Sequence, residues 1–302
     1  MIGRYALGVA AALGAGAAYN AGQLAQKIAV DRLPEQAPGA GRLRSSLFAR
    51  LLRSPVWLAG SALVVFLGTP FNVVAALWLG PAVLPGLMSL GLVVLAVGAV
   101  TVAGEKLGAA DVAGIALVMA GILLIGLSRL RVDVASASMH ETALLARLAL
   151  FTLSTASLAA ALLAAAARTR GARGPLRGLA AGLFYASSNL WLAVDMNALD
   201  HWLAGGPLRE GLGLAAIALA AILASSLMGV VVTQHAYRVG NASRIVPIQM
   251  VPQQIVPILA FLLVFRSPVP STWALPLAAG GAALILAGAG LLASRQAATG
   301  TA

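Results

Sequence analysis

An all-α polytopic membrane protein is the fold class this sequence predicts, with about nine transmembrane helices in two repeats of opposite orientation. Three observations carry it. Composition comes first: 60% of the 302 residues are apolar and only 10% are charged, against about 25% charged in an ordinary globular chain. Too few polar residues exist to cover a soluble surface, and apolar stretches long enough to cross a bilayer recur throughout. The second observation is that these runs are continuous. Only helices and closed barrels satisfy their own backbone hydrogen bonds in lipid, and barrel strands would alternate, so continuity selects helices. The third is that one stretch occurs twice. Ala76 to Gly80-Pro81-Ala82, followed by Pro85 and Met88, is echoed by Ala236 to Gly240-Asn241-Ala242, followed by Pro247 and Met250. Each reads as the end of one helix, a break at glycine, and a proline-bearing start of the next, where the missing N–H costs little.

Taken in order, the expected spans run over 5–28, 56–79, 82–103, 109–128, 142–167, 177–198, 212–236, 243–265 and 273–293. The first could pass for a signal peptide, but Tyr19 to Ile28 prolongs its apolar run. Its residues Leu13, Ala15, Gly16, Tyr19, Gln23 and Leu24 also match Leu179, Ala181, Gly182, Tyr185, Asn189 and Leu190 without a gap. The stretch 31–54 is basic and cannot span. Its Leu43, Leu47 and Leu51 recur every fourth residue, as in a short amphipathic helix on the membrane surface; a basic loop is the other reading. In the fourth and ninth spans Gly114 and Gly121 are spaced as Gly281 and Gly288 are, a pattern that lets helices approach closely. Three parts follow: 1–130 as a first four-helix unit, 131–176 as a linking span with its loops, and 177–302 as a second four-helix unit with a short tail.

A four-span unit returns to its starting side, and the fifth span then switches sides. The second unit therefore starts from the opposite face, which is an inverted-topology repeat, with a binding site expected where the units meet near the midplane. Loop charge sets the orientation. Lys27, the arginines of 31–54, Lys106, Arg168, Arg170, Arg173, Arg177 and Arg238 all fall on one side, which is cytoplasmic by the positive-inside rule. The N-terminus is then outside and the C-terminus inside, in an inner or plasma membrane. The net charge of +11 is read the same way, as orientation and contact with anionic lipid, with nucleic acid excluded as a partner.

The candidate site follows from the repeat. Tyr19 and Gln23 share a helix face, as do Tyr185 and Asn189 at the matched positions. Gln249 and Gln253 share a face of a helix interrupted by Pro247, Pro252 and Pro257, whose prolines free carbonyls that need partners. With Asn20 and Asn72 these residues form the expected substrate-binding set; the bland alternative is hydrogen bonding that merely holds the bundle, at about 0.6 kcal/mol per bond. Asp195, late in the sixth span and on one face with Ser188 and Trp191, reads either as an interfacial residue or as a group coupling transport to a proton or cation. The chain has no cysteine, which rules out disulfides and thiolate sites. His140, His201 and His235 sit at no metal-ligand spacing, no nucleophile–base set or phosphate loop appears, and the expectation is no enzyme and no cofactor, with any metal unknown.

The run Arg53-Ser-Pro-Val-Trp57-Leu-Ala-Gly60, with Gly80-Pro-Ala-Val-Leu-Pro85, Gly104-Glu-Lys-Leu107 and Gly114 to Gly121, resembles the drug/metabolite transporter superfamily. It is similar to EamA-type members, and to the NIPA-type magnesium-transporter branch in particular, over about residues 5–293. The resemblance implies nine- or ten-helix, inverted-repeat transport of small solutes or ions, coupled or passive; the expected mechanism is alternating access. Many members carry a lysine late in the first helix of the second unit. Here that position is Ala193, with Asp195 close by, while Lys27 keeps the lysine in the first unit, so the substrate is not carried over. A magnesium permease is one rival; a non-transporting scaffold or lipid-binding protein is the other. Expected partners are membrane lipids, the small-molecule or ion substrate, and a second copy of the chain as a homodimer.

Overall fold

The computed structural model describes residues 2–34, 47–79, 84–130, 142–169, 171–203 and 208–299. Among these the chain is mostly helical and contains no strand. Gly80-Pro81-Ala82 of the first repeated stretch, Leu43, and most of 129–141 lie outside the described residues.

Helix α1 spans Ile2–Asp31 and the short α2 spans Leu47–Leu51. Next, α3 (Pro55–Ala62), a π-helical stretch Leu63–Gly68 and α4 (Thr69–Leu79) run on as one rod. Pro70 accounts for the widened turn. Its ring would collide with the carbonyl four residues back, and a π-turn relieves that collision. Ser54 caps α3, with Pro55 at the first helical position. Helices α5 (Leu84–Ser89) and α6 (Gly91–Thr101) form a second broken rod, and α7 spans Ala109–Leu127. Beyond the link come α8 (Thr142–Arg168), α9 (Arg173–Leu203) and α10 (Leu208–Tyr237). Last are α11 (Ala242–Ala260), continued by a π-helical stretch Phe261–Phe265, and α12 (Ala274–Thr299).

Seven of these rods are long and apolar enough to cross a membrane: Pro55–Leu79, Leu84–Thr101, Ala109–Leu127, Thr142–Arg168, Gly213–Tyr237, Ala242–Phe265 and Ala274–Ala298. This is the make-up of a multi-pass membrane protein. Their outward faces are large and apolar, with Phe66 78% and Leu77 75% exposed, far beyond what a water-facing surface tolerates in one belt. The two long helices outside that set, α1 and α9, also bury polar residues, Asn20 and Lys27 on α1 and Ser187 and Ser188 on α9.

Packing is organised around these two. Helix α1 lies against α3, α4, α5 and α6; α9 lies against α8, α10 and α11. In each set an aromatic ring covers a glycine on the neighbouring rod: the Tyr19 ring lies over Gly68 and the Tyr185 ring over Gly229. Between the sets, α7 and α12 cross with backbone against backbone. A Cβ on Gly121 would stand 2.5 Å from the carbonyl oxygen of Gly281, and one on Gly281 would stand 2.6 Å from that of Gly121. At the other end of the crossing a Cβ on Gly288 would stand 2.5 Å from the Gly114 carbonyl oxygen, while one on Gly114 would meet the Leu292 side chain first, at 2.7 Å. Only residues without a side chain permit that approach.

The basic stretch holds one difference from expectation. Leu47 and Leu51 do lie on one face of a helix, but that face packs into the protein core with Val30 and Trp57. Phe48 meets Trp57 edge to face, ring centroids 5.7 Å apart. A five-residue helix has too little apolar face to bind both lipid and protein, and here the protein takes it.

Candidate functional site: a neutral polar cavity between the units

A cavity of about 470 Å³ lies between the two sets of helices. Tyr19, Asn20, Gln23, Asn72, Tyr185, Asn189, Gln249 and Gln253 all line it. The eight residues singled out from the sequence are thus brought to one surface. Their company includes Gln26, Ser89, Thr233 and Gln254, which sequence reasoning missed. Gln26 stood three residues beyond Gln23, one helical turn along the same face, and that spacing was the available signal. Apolar patches of Leu84, Met88, Ile122, Val230, Val246 and Met250 complete the lining.

Several side chains on this surface are held in place. Thr233 donates to Gln249 Oε1 at 3.0 Å, and Gln253 Nε2 donates to the Gln249 carbonyl at 3.2 Å. Asn20 Nδ2 donates to the Gly16 carbonyl at 2.8 Å. Tyr19 and Thr69 share a hydroxyl contact at 3.3 Å. Two amide oxygens on this surface, Asn20 Oδ1 and Asn72 Oδ1, have no hydrogen-bond partner. Asn20 is only 1% exposed, and a buried acceptor without a partner is costly.

Beyond the cavity, toward the C-terminal ends of α1 and α10, a polar layer ties one unit to the other. Tyr237 donates its hydroxyl to Gln23 Oε1 at 3.1 Å, and Gln234 Nε2 donates to Gln26 Oε1 at 2.9 Å. Lys27 Nζ reaches Asp31 at 2.6 Å and the Tyr237 carbonyl at 2.8 Å. Farther out, Glu105 follows a tight turn at Gly104, whose φ of +69° suits glycine. Its carboxylate accepts from the N–H groups of Ala242 and Ser243 at 2.7 and 3.1 Å, and from the Ser243 hydroxyl. The N-cap residue Asn241 makes no side-chain cap of its own. A carboxylate from the other unit therefore caps α11 and meets the positive end of its dipole. Alongside, Arg244 grips Asp111 with Nε at 2.8 Å and Nη2 at 3.2 Å, both residues almost fully buried. Asp111 also accepts from Gly108 N–H at 2.9 Å, closing its own helix start. From the sequence Gly104-Glu105-Lys106 reads as a short turn that caps and positions helix ends, and Glu105 does cap a helix, though one 137 residues away; Asp111 reads only as an acid near a span end, and its pairing across 133 residues of chain leaves no local signal.

Other expected candidates fall elsewhere. Asp195 is half-buried and is not among the lining residues. Its helical neighbours face away from the cavity: Ser188 shares a 2.7 Å contact with Ser226 of α10, and Trp191 packs in an apolar cluster with Leu144, Leu148, Ala218 and Val264. His235 is exposed and contributes only its carbonyl, which accepts from Arg177 at 3.0 Å. Among the described residues no group of three or more His, Cys, Asp or Glu is placed to hold a metal ion.

The fold and site together define a multi-helix membrane protein with a central neutral polar chamber. Comparison with protein-family models, with curated proteins and with solved structures finds no match to this chain.

Proposed function

We propose that this protein is a transporter of the drug/metabolite type, moving a small solute through the central cavity by alternating access. The observation that carries the reading is the cavity itself: a polar chamber inside an apolar bundle, lined from both units and backed on one side by hydrogen-bonded ties between them. A bundle held by polar contacts alone would have no reason to keep an open polar volume, since interior space is normally filled. On this reading α1 and α9 also cross the membrane, making nine spans, because Tyr19, Asn20, Gln23 and Gln26 of α1 and Tyr185 and Asn189 of α9 face the chamber and not lipid. The reciprocal glycine crossing of α7 and α12 and the paired Tyr–Gly contacts support two units related by an inverted repeat. The ties from Gln23, Gln26 and Lys27 to α10 act as the gate on the cytoplasmic side, with that side assigned by loop charge. The chamber then communicates with the outside in the conformation described.

Purified protein in proteoliposomes tests this. Gln26→Cys with Gln234→Cys, whose native side chains meet at 2.9 Å, gives a pair free of background thiols. Joining them with a short thiol crosslinker is expected to abolish solute flux, and reductive release of a cleavable linker to restore it. Flux that persists in the crosslinked protein overturns the gate. Absence of flux for every solute screened, at normal folding, overturns transport and leaves the scaffold reading. The inside placement of the gate is checked separately: Arg170→Cys is expected to resist an impermeant thiol reagent in intact cells and to react in permeabilised ones.

A further inference from the structure

We infer that the solute taken by the cavity is an uncharged molecule rich in hydrogen-bond donors, such as a polyhydroxylated or amide compound with a small apolar part. This rests on reading the cavity as the solute site. The first ground is the charge balance of the lining. Its polar groups are amides, phenols and hydroxyls, and no Asp, Glu, Lys, Arg or His is among the lining residues. An ion held there would leave water without a counter-charge, inside a bundle that is itself apolar, and such burial is strongly unfavourable. A divalent ion such as Mg²⁺ usually relies on one or two carboxylates, which this lining does not offer. The charged groups that the interior does contain, Lys27, Glu105, Asp111 and Arg244, are engaged with partners in the tie layer.

The second ground is the balance of donors and acceptors. On the lining, Asn20 spends one N–H on Gly16, Gln253 spends one on the Gln249 carbonyl, and Thr233 donates to Gln249, while Gln23 and Gln26 already accept from Tyr237 and Gln234. The unpartnered sealed atoms of lining residues are both acceptors, Asn20 Oδ1 and Asn72 Oδ1. A solute O–H or N–H that reaches either oxygen removes the cost of leaving it unpaired. Tyr19 and Tyr185 offer flat faces on the same surface, and Met88 with Met250 offers adaptable apolar contact. The arrangement suits a molecule with one donor-rich face and one apolar face.

The test is binding, not flux, so it stands apart from the transport experiment. Thermal stability of the purified protein in detergent is followed against four probe sets. They are uncharged polyols, sugars and amides (mannitol, N-acetylglucosamine, nicotinamide); choline; glutamate; and MgCl₂ at matched ionic strength. The expected result is a saturable rise in melting temperature with at least one uncharged probe and none with the other three sets. That affinity should fall roughly tenfold in Asn72→Leu and in Gln253→Leu, the size of one lost hydrogen bond. Saturable stabilisation confined to choline, glutamate or Mg²⁺ overturns the inference, even if flux then proves transport. Silence from the uncharged set overturns it as well, and so does binding that neither variant weakens. An uncharged probe that binds at this site but is never moved across proteoliposomes leaves the inference standing and overturns the transport reading.

Discussion

The two walls of the cavity share a frame and differ in chemistry. In the frame, Tyr19 covers Gly68 as Tyr185 covers Gly229, and the α7–α12 crossing is reciprocal at Gly121 and Gly281. In the chemistry, the second wall presents Gln249 and Gln253 from α11, a helix with three internal prolines, whereas the broken rod α5–α6 of the first presents Leu84, Met88 and Ser89. The first wall leaves Asn20 Oδ1 and Asn72 Oδ1 unpartnered, whereas the second ties Thr233, Gln249 and Gln253 to one another. Backbone contacts account for the difference. Where two helices touch through their main chains, only glycine fits, so the frame tolerates little variation. Side chains that end in a cavity meet no such wall, and each unit's chemistry can differ while the frame stays.

The largest expected effect comes from cutting the join between the walls. Asp111 and Arg244 form a bidentate pair with almost no exposure on either side. Removing one partner strands a buried charge, at about 3–5 kcal/mol. Asp111→Ala and Arg244→Ala should each lower the melting temperature in detergent sharply, and Asp111→Leu with Arg244→Met should recover much of the loss. Single variants that behave like broken surface pairs, at about 0–1 kcal/mol, would show that the units are held by other contacts.

The shared frame is sharpened by a matched pair of substitutions. Gly121→Ala and Gly281→Ala each push a methyl group against the opposing backbone, at 2.5 and 2.6 Å. Neither contact is with a flexible side-chain end, so the helices must part, at about 1–3 kcal/mol. The two variants should cost nearly the same, and Gly290→Ala, which meets open space, should cost little. Clearly unequal losses would break the symmetry of the crossing.

The difference in chemistry predicts a split of readouts. Gln249→Leu removes the acceptor of Thr233 and should cost about 1 kcal/mol of stability as well as affinity. Asn72→Leu removes an oxygen with no partner and should cost affinity alone, with stability unchanged or slightly improved. Melting temperature and probe affinity, measured together, check this. If both variants lose stability equally, the walls do not divide the work in this way.

The parts legible in the sequence were those with local periodicity. Continuous apolar runs marked the helices, and the four-residue spacing of Tyr19 with Gln23 and of Tyr185 with Asn189 marked faces that line the cavity. Of the tie layer only the capping character of Gly104-Glu105-Lys106 was legible, and not the helix it caps. Glu105 capping α11, Arg244 on Asp111 and Tyr237 on Gln23 each join residues more than 130 positions apart, and no spacing rule reaches that far. The face of α2 was misassigned for a related reason: periodicity shows that Leu47 and Leu51 point the same way, but not whether lipid or protein is there to receive them.

The smallest expected effect concerns Asp195. Six residues separate it from Asn189, which lines the cavity. At about 100° per residue that is roughly 240° of net rotation, so the two side chains leave α9 in different directions. The intervening Trp191 is 7% exposed and packs with residues of α8, α10 and α11. A charge there is spared the full cost of burial if it reaches the membrane interface, and long helices such as α9 extend beyond the apolar layer. Asp195→Asn keeps the shape and removes the charge. The expectation is unchanged flux in proteoliposomes and an unchanged pH profile between pH 5 and 8, with at most a slight shift in melting temperature. Concentrative uptake that disappears in Asp195→Asn while exchange down a gradient continues would instead make Asp195 the coupling group. The path of the coupling ion would then run along the α8–α10 side of α9, outside the cavity that holds the solute.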